Sequence, residues 1–270
     1  MSERVAGRIC SVWGENDADW LILQPLDKRD IDSAVQSEGT YICQHSRQKC
    51  RLVGFAVEDW NAELSPWSAP PVWGKADFAG QAEKTLAWLT DELLPRIRRD
   101  LSPDVRVMLG GYSLAGLFAL WAAGETDGLD AVAAASPSVW YPGYMAHEAQ
   151  KPIRAGRVYL SLGDREEKTK NRTMAAVGAC IRELDARLEA RGVRHILEWN
   201  EGNHFCQPDI RVAKGFCWGM GNAGLPIRET RIETQAFLAI SVFRHTEIPH
   251  SGRVTPIPDL PEGFQSGKLV

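Results

Sequence analysis

Apolar positions along this chain alternate between short continuous runs and longer stretches with helical spacing. A continuous apolar run is typical of a buried strand, whereas apolar residues at every third or fourth position indicate a helix with one buried face. The runs that predict strands lie at residues 8–13, 20–26, 52–57, 105–111, 129–137, 157–163 and 195–199. Helical spacing predicts helices over residues 31–48, 79–99, 114–124, 173–191 and 209–220.

This alternation predicts an α/β fold with a mostly parallel central sheet and helices on both faces. The first two strands, at 8–13 and 20–26, flank a polar turn and are expected to pair as an antiparallel edge. We expect residues 1–220 to form one domain. Residues 221–270 combine an apolar segment with several prolines, so we predict a C-terminal extension that is either an arm making a homo-oligomer contact or disordered chain.

The sharpest bend is predicted at Ser113, between a strand that ends in paired glycines and an apolar helix. A serine on such a strained turn requires small residues two positions before and after it, and Gly111 and Ala115 meet that requirement. The pattern is typical of a nucleophile elbow, although an N-cap serine after a simple turn has the same flanks. At an elbow, the backbone N–H of Leu114 would point to a developing oxyanion.

Two partners for this serine follow later strands at the carboxyl edge of the sheet, where reactive groups gather. His204 follows the strand at 195–199, and an acid follows the strand that ends at Gly163. We favour Glu166, three positions beyond Gly163, and keep Asp164, directly after it, as the alternative. The order serine, acid, histidine is that of the α/β-hydrolases, in which the acid orients the histidine and the histidine activates the serine.

Loops at the same edge supply candidates for binding. A tryptophan- and proline-rich loop contains Trp60 and Trp67, and a second aromatic loop contains Trp140. We assign these indoles and Tyr112 to a substrate pocket, with packing onto a neighbouring helix as the other reading of the first loop. The charged loop after residue 26 is the candidate for a second oxyanion donor, placed at the backbone of Asp27, with a solvated turn as the alternative.

The overall composition narrows the class of partner. The chain has 270 residues, 44% hydrophobic and 24% charged residues and a formal net charge of −4, which gives no reason to expect nucleic acid or an anionic membrane as partner. The six cysteines show no paired spacing and are expected to be free thiols. Without a signal-peptide core or membrane span in the sequence, we expect a cytoplasmic protein, and we expect no metal or organic cofactor.

Four motifs together resemble the putative esterase family of α/β-hydrolases, over about residues 20–220. They are the segments Gly110–Leu117, Asp59–Trp67, Ser161–Asn171 and Gly202–Phe205. That family includes esterase D, tributyrin esterases, feruloyl esterase domains and enterochelin-type siderophore esterases. The resemblance implies an α/β-hydrolase fold with Ser113 as nucleophile, His204 as base and the acid after the strand as orienting group.

The sequence therefore predicts a serine carboxylesterase that hydrolyses short-chain or small aromatic esters through an acyl-serine intermediate. An acyltransferase, or a hydrolase of siderophore or carbohydrate esters on the same three residues, is the alternative enzyme. A binding module that uses the aromatic pocket without catalysis is the alternative from a different class.

Overall fold

A computed structural model describes residues 2–72 and 74–221. The strands of this part of the chain are β1 (Ser2–Val5), β2 (Arg8–Gly14), β3 (Trp20–Asp27), β4 (Cys50–Val57), β5 (Ser68–Ala69), β6 (Phe78–Ala79), β7 (Arg106–Tyr112), β8 (Ala131–Ala135), β9 (Arg157–Gly163) and β10 (Arg194–Asn200). Its α-helices are α1 (Ile31–His45), α2 (Trp60–Glu63), α3 (Ala82–Ala87), α4 (Leu94–Ile97), α5 (Leu114–Glu125), α6 (Tyr144–Gln150), α7 (Arg172–Ala175), α8 (Val177–Ala190) and α9 (Pro208–Gly219).

The main sheet has the strand order β1-β2-β4-β3-β7-β8-β9-β10. Strands β4, β3, β7, β8, β9 and β10 run parallel, and β1 and β2 add an antiparallel edge. Strands β5 and β6 form a separate two-stranded ribbon. The predicted fold class, a mostly parallel sheet with helices on both faces, is confirmed.

Helices cover both faces because each central strand is apolar on both sides. Helices α1 and α9 pack together on one face of the sheet, where Ile22 and Met108 join a core that includes Phe216. On the other face, α5 packs against β7 and β8, and Leu23 and Phe118 belong to the larger core. Helix α5 is buried from its first residue to Gly124, which explains its lack of a polar face.

The predicted pairing of the first two long strands is wrong. Strand β2 pairs with β4, and β3 lies between β4 and β7. The physical reason is burial: the first six residues of β3, from Trp20 to Pro25, are all buried, so this strand requires neighbours on both edges and cover on both faces. A polar turn between two strands does not by itself make them a hairpin.

The helix predicted over residues 79–99 begins at Ala82 and is interrupted. Residues Trp88–Leu93 form a π-helical segment before α4. Pro95 lacks a backbone N–H, and in a regular α-helix its ring would clash with the backbone carbonyl four residues earlier. The wider turn of the π-helical segment makes room for the ring. The helix predicted over 173–191 likewise occurs as two pieces, α7 and α8.

The C-terminal extension predicted for residues 221–270 lies, beyond Gly221, outside the described residues, and so does the oligomer contact assigned to it. Within residues 2–72 and 74–221, no helix combines the length and the hydrophobicity that a bilayer span requires.

Candidate active site

Ser113 occupies a strained turn between β7 and α5. Its backbone angles are φ 58° and ψ −118°, a conformation that residues with a side chain rarely adopt. A Cβ at Gly111 would lie 2.6 Å from the Cβ of Ala115, closer than two carbon atoms can approach. Gly111 is therefore required by sterics, and Ala115 fits because its neighbour has no side chain. The predicted elbow geometry is present.

His204 lies between the serine and an acid. Its Nε2 atom is 3.0 Å from Ser113 Oγ, and its Nδ1 atom is 2.7 Å from Glu166 Oε2. If the N–H is on Nδ1, it donates to the carboxylate, and Nε2 accepts the hydroxyl proton of the serine. These three side chains, which come from loops after β7, β9 and β10, form one continuous hydrogen-bonded chain.

The Glu166 carboxylate is buried and fully hydrogen-bonded. Besides His204, it accepts hydrogen bonds from Ser136 Oγ at 2.6 Å and from the Gly163 backbone N–H at 2.7 Å, both on Oε1. Burial raises the pKa of Glu166, but its interactions with His204, Ser136 and the Gly163 backbone N–H together hold the pKa below its ordinary value. The acid is thus kept ionised, as an orienting group for a histidine must be.

Asp164, the alternative acid, lies elsewhere. Its Oδ1 atom accepts a hydrogen bond from the Gly202 backbone N–H at 2.8 Å, and half of its side chain is exposed. Asp164 therefore supports the loop that carries His204 and does not contact the imidazole. The tight turn after Gly163 directs the two side chains apart and places Glu166 at the histidine.

The sequence reasoning missed Arg211, which organises the site from α9. Its side chain is 2% exposed, and Nη1 lies 3.0 Å from Glu166 Oε1, 3.1 Å from Ser136 Oγ and 3.2 Å from the Tyr112 hydroxyl oxygen. Nη2 donates to the backbone carbonyls of Glu201 and Asn203. One guanidinium thus ties the acid to the histidine loop. The available signal was an arginine on the otherwise apolar face of a predicted helix.

Tyr112 belongs to the same network and does not line the pocket, which corrects its predicted binding role. Its hydroxyl donates to the His204 backbone carbonyl at 2.7 Å. Burial raises the pKa of Tyr112 to about 12, so the phenol stays protonated and able to donate. Tyr112 holds the histidine loop against β7.

We expect Arg211→Lys to lower kcat by roughly tenfold to a hundredfold and to leave KM nearly unchanged. A lysine keeps the positive charge, but its single ammonium group cannot donate both to the Glu166 carboxylate and to the two loop carbonyls as the planar guanidinium does. The loop that carries His204 therefore loses part of its support, and the imidazole loses its fixed position. Measuring kcat and KM separately checks this, with Arg154→Lys, at an exposed ion pair with Asp127, as the matched control. An unchanged kcat would show that Arg211 has a structural role only.

The two backbone groups predicted as oxyanion donors, those of Leu114 and Asp27, lie in different structural settings. Leu114 is the first residue of α5, so its backbone N–H has no acceptor within the helix and is next to Ser113; its role as an oxyanion donor stays a prediction. Asp27 ends β3, whose ladder with β7 stops at Leu23 and Leu109, and its carboxylate pairs with Arg29. A donor at the backbone of Asp27 stays a prediction.

A pocket of about 330 Å³ opens beside the serine. It is lined by Ser113, Ser136, Ser138, Trp140, Arg165, Glu166, Lys168, Thr169, Met174, Val177, Asn203, His204 and Phe205. Trp140 lines this pocket as predicted, and the hydroxyl of Ser138 lies 3.4 Å from that of Ser113.

The other two predicted pocket indoles are not in this lining. Trp67 donates from Nε1 to the Pro142 carbonyl at 2.8 Å and packs against Tyr141, while Trp60 packs against the core from the start of α2. The loop that contains Trp67 and the loop that contains Trp140 therefore do contact each other, but their contact lies behind Trp140 and supports it, and Trp67 itself does not line the pocket. Indole N–H groups must find acceptors when partly buried, and the loop carbonyl supplies one.

No cluster of three or more histidine, cysteine or acidic side chains in the described part of the chain is arranged to hold a metal ion. The six cysteines are free thiols, as expected.

Comparison with known proteins assigns the chain to a family. A family model described as "Putative esterase" matches residues 30–207. These residues include the elbow, the acid and the histidine. A search of curated proteins finds no match to the chain.

Solved structures share the fold. A siderophore hydrolase, EstA from Aspergillus nidulans, is 18% identical, with 83% of this chain and 95% of that chain covered at a TM-score of 0.64. An IroE-like serine hydrolase from Shewanella oneidensis is 16% identical, with coverages of 81% and 79% and a TM-score of 0.66. The enterobactin esterase FES from Shigella flexneri is 18% identical, with coverages of 79% and 54% and a TM-score of 0.55.

Proposed function

This chain belongs to the putative esterase family and is a hydrolase, and on that basis we propose that it is a serine carboxylesterase acting on small esters through an acyl-serine intermediate on Ser113. The observation that carries the proposal is the 3.0 Å contact between Ser113 Oγ and His204 Nε2, continued to Glu166. A serine hydroxyl at its free pKa is a poor nucleophile and requires such a base within hydrogen-bond reach.

In the first half-reaction, Ser113 Oγ bonds to the carbonyl carbon while its proton passes to His204 Nε2. The Leu114 backbone N–H would donate to the resulting oxyanion. Collapse of this intermediate breaks the ester C–O bond, and the imidazolium returns the proton to the leaving alcohol. A water molecule then repeats these steps on the acyl-serine, which releases the carboxylic acid and restores the hydroxyl.

The pocket favours small acyl or alcohol groups. Its volume of about 330 Å³ lies at the lower end of the range for ligand sites, which accommodates a short chain or one aromatic ring. Trp140 and Phe205 give it aromatic walls. The names of two neighbours, a siderophore hydrolase and an enterobactin esterase, add siderophore esters to the candidates.

A panel of 4-nitrophenyl esters from acetate to dodecanoate, with the benzoate, tests this function. We expect the highest kcat/KM at short chains or at the benzoate, and an acyl adduct on Ser113 in the intact mass of rapidly quenched enzyme. Adding an alcohol acceptor separates hydrolysis from the alternative, acyl transfer, by the product formed. Absence of turnover and of any adduct across the panel would contradict the proposal.

We expect Trp140→Ala to shift the chain-length preference toward longer acyl groups, by roughly tenfold in the ratio of kcat/KM for octanoate to that for butyrate. Removing an indole from the wall opens room for extra methylenes and deletes contacts to short chains. Trp199→Ala, at an exposed tryptophan on β10 outside the pocket, is the matched control. An unchanged ratio in Trp140→Ala would place the acyl group elsewhere.

A further inference from the structure

Two positive side chains line the pocket beside the serine. Arg165 and Lys168 belong to the turn after β9 that also carries Glu166, and both are exposed at the pocket rim. Neither is needed to hold the acid or the histidine, because Arg211, Ser136 and the Gly163 N–H already saturate the carboxylate oxygen that His204 leaves free. The two cations are therefore unexplained by the proposed reaction.

Within the described part of the chain, neither cation forms a hydrogen-bonded ion pair: Arg165 only reaches Asp164 at long range, and Lys168 acts on Glu167 only through its charge, which adds to the hydrogen bonds from Arg182 in lowering the pKa of Glu167. The Asp164 carboxylate lies 4.0 Å from Arg165 Nε, at the limit of an ion pair, and Glu167 is engaged by Arg182 in two hydrogen bonds. The ion pairs of the described residues include none for Lys168. Glu166 is the only acid in the lining formed by the described residues, and its charge is compensated by the buried guanidinium of Arg211.

The pocket thus presents about two positive charges at its rim in a chain whose net charge is −4. Apolar side chains line the same pocket, among them Trp140, Val177 and Phe205, the last with 83% of its surface exposed. Cations beside apolar walls suit a molecule with an apolar body and a negative group, since the field raises the local concentration of anions and repels cations.

We propose that this pocket selects esters that carry a second, anionic group, such as a carboxylate, which Arg165 and Lys168 contact while Ser113 attacks the ester carbonyl. This inference rests on the proposed function and narrows its substrate class. Exposed ion pairs contribute little individually, so we expect the two contacts together to give a preference of roughly tenfold, which corresponds to about 1.4 kcal/mol. Screening at high salt weakens such contacts.

Matched probes measure this preference. The first pair carries the anionic group on the leaving alcohol: 4-acetoxybenzoate and its neutral analogue 4-acetoxybenzamide. The second pair carries it on the acyl group: the 4-nitrophenyl esters of 4-carboxybenzoate and of the neutral 4-carbamoylbenzoate. We expect the anionic-to-neutral ratio of kcat/KM, for at least one pair, to fall by roughly tenfold in the double variant Arg165→Gln/Lys168→Gln relative to the native enzyme. The native ratio should also fall between 0.05 M and 1 M NaCl.

Lys170→Gln is the matched control, because Lys170 is a cation of the same loop outside the pocket lining. We expect it to keep both the activity and the ratio, and circular dichroism with thermal unfolding shows that each variant is folded. If the two ratios are the same in the native enzyme and the double variant, the inference is overturned while ester hydrolysis stands.

A second measurement separates the inference from the proposed function. In the Ser113→Ala background the probes are not turned over, so their dissociation constants can be measured by calorimetry with and without the two glutamine substitutions. Tighter binding of the anionic probe, lost in the glutamine variant, supports the inference even if no probe is hydrolysed by the native enzyme. Equal binding of anionic and neutral probes, or no binding of either, overturns it.

Discussion

Replacing Ser113 with alanine is expected to lower kcat/KM for every ester by about 10⁴-fold or more. The substitution removes the oxygen that lies 3.0 Å from His204 Nε2, so no acyl-serine can form. Alanine has the same Cβ as serine, so the strained backbone at φ 58° gains no new clash, and the fold is expected to persist. Steady-state kinetics, with circular dichroism as a fold check, measures both effects.

Ser138→Ala is the matched control for this result. In the native protein the Ser138 hydroxyl lies 3.4 Å from the Ser113 hydroxyl and lines the same pocket, but it makes no hydrogen bond to His204. We expect its loss to reduce activity far less than the loss of Ser113. A fluorophosphonate probe should label the native enzyme and Ser138→Ala but not Ser113→Ala. Full ester turnover by Ser113→Ala would remove this serine from the mechanism.

Glu166→Gln is expected to lower kcat by about 10³- to 10⁴-fold, whereas Asp164→Asn should cost less than about threefold. A glutamine amide opposite His204 Nδ1 cannot stabilise the imidazolium, and its N–H₂ group favours the tautomer that leaves no acceptor at Nε2. Asparagine at 164 still has an oxygen to accept the Gly202 N–H. The pair of variants is compared by kcat on one good substrate.

This pair is a stringent comparison because both acids belong to the same turn and both substitutions remove one negative charge. A larger loss in Asp164→Asn than in Glu166→Gln would contradict the assignment of the acid. Glutamine also leaves the buried Arg211 guanidinium without its ionised partner, so we expect the free energy of unfolding to fall as well. Thermal unfolding of both variants separates the two contributions, since kcat is measured on the folded fraction.

Local patterns determined much of the architecture and half of the candidate site. The strand predicted over 157–163 is β9, because a short apolar run that ends at a glycine suits a strand buried between two neighbouring strands. Gly111 and Ala115 around Ser113 indicated the elbow, since the strain of that turn depends only on neighbouring residues. His204 was identified by its position after a strand, because parallel strands bring their carboxyl ends to one edge.

Packing between distant segments decided the rest. The sequence favoured Glu166 but left Asp164 open, and the contact of Glu166 with His204 depends on how the loops after β9 and β10 meet. The role of Arg211 depends on α9 lying beneath β7 and β8. Trp67 likewise became part of a wall because the loop containing Pro142 supplied its acceptor. Sequence periodicity specifies which face of an element is buried, but contacts across about 40 to 90 positions exist only once those faces have packed.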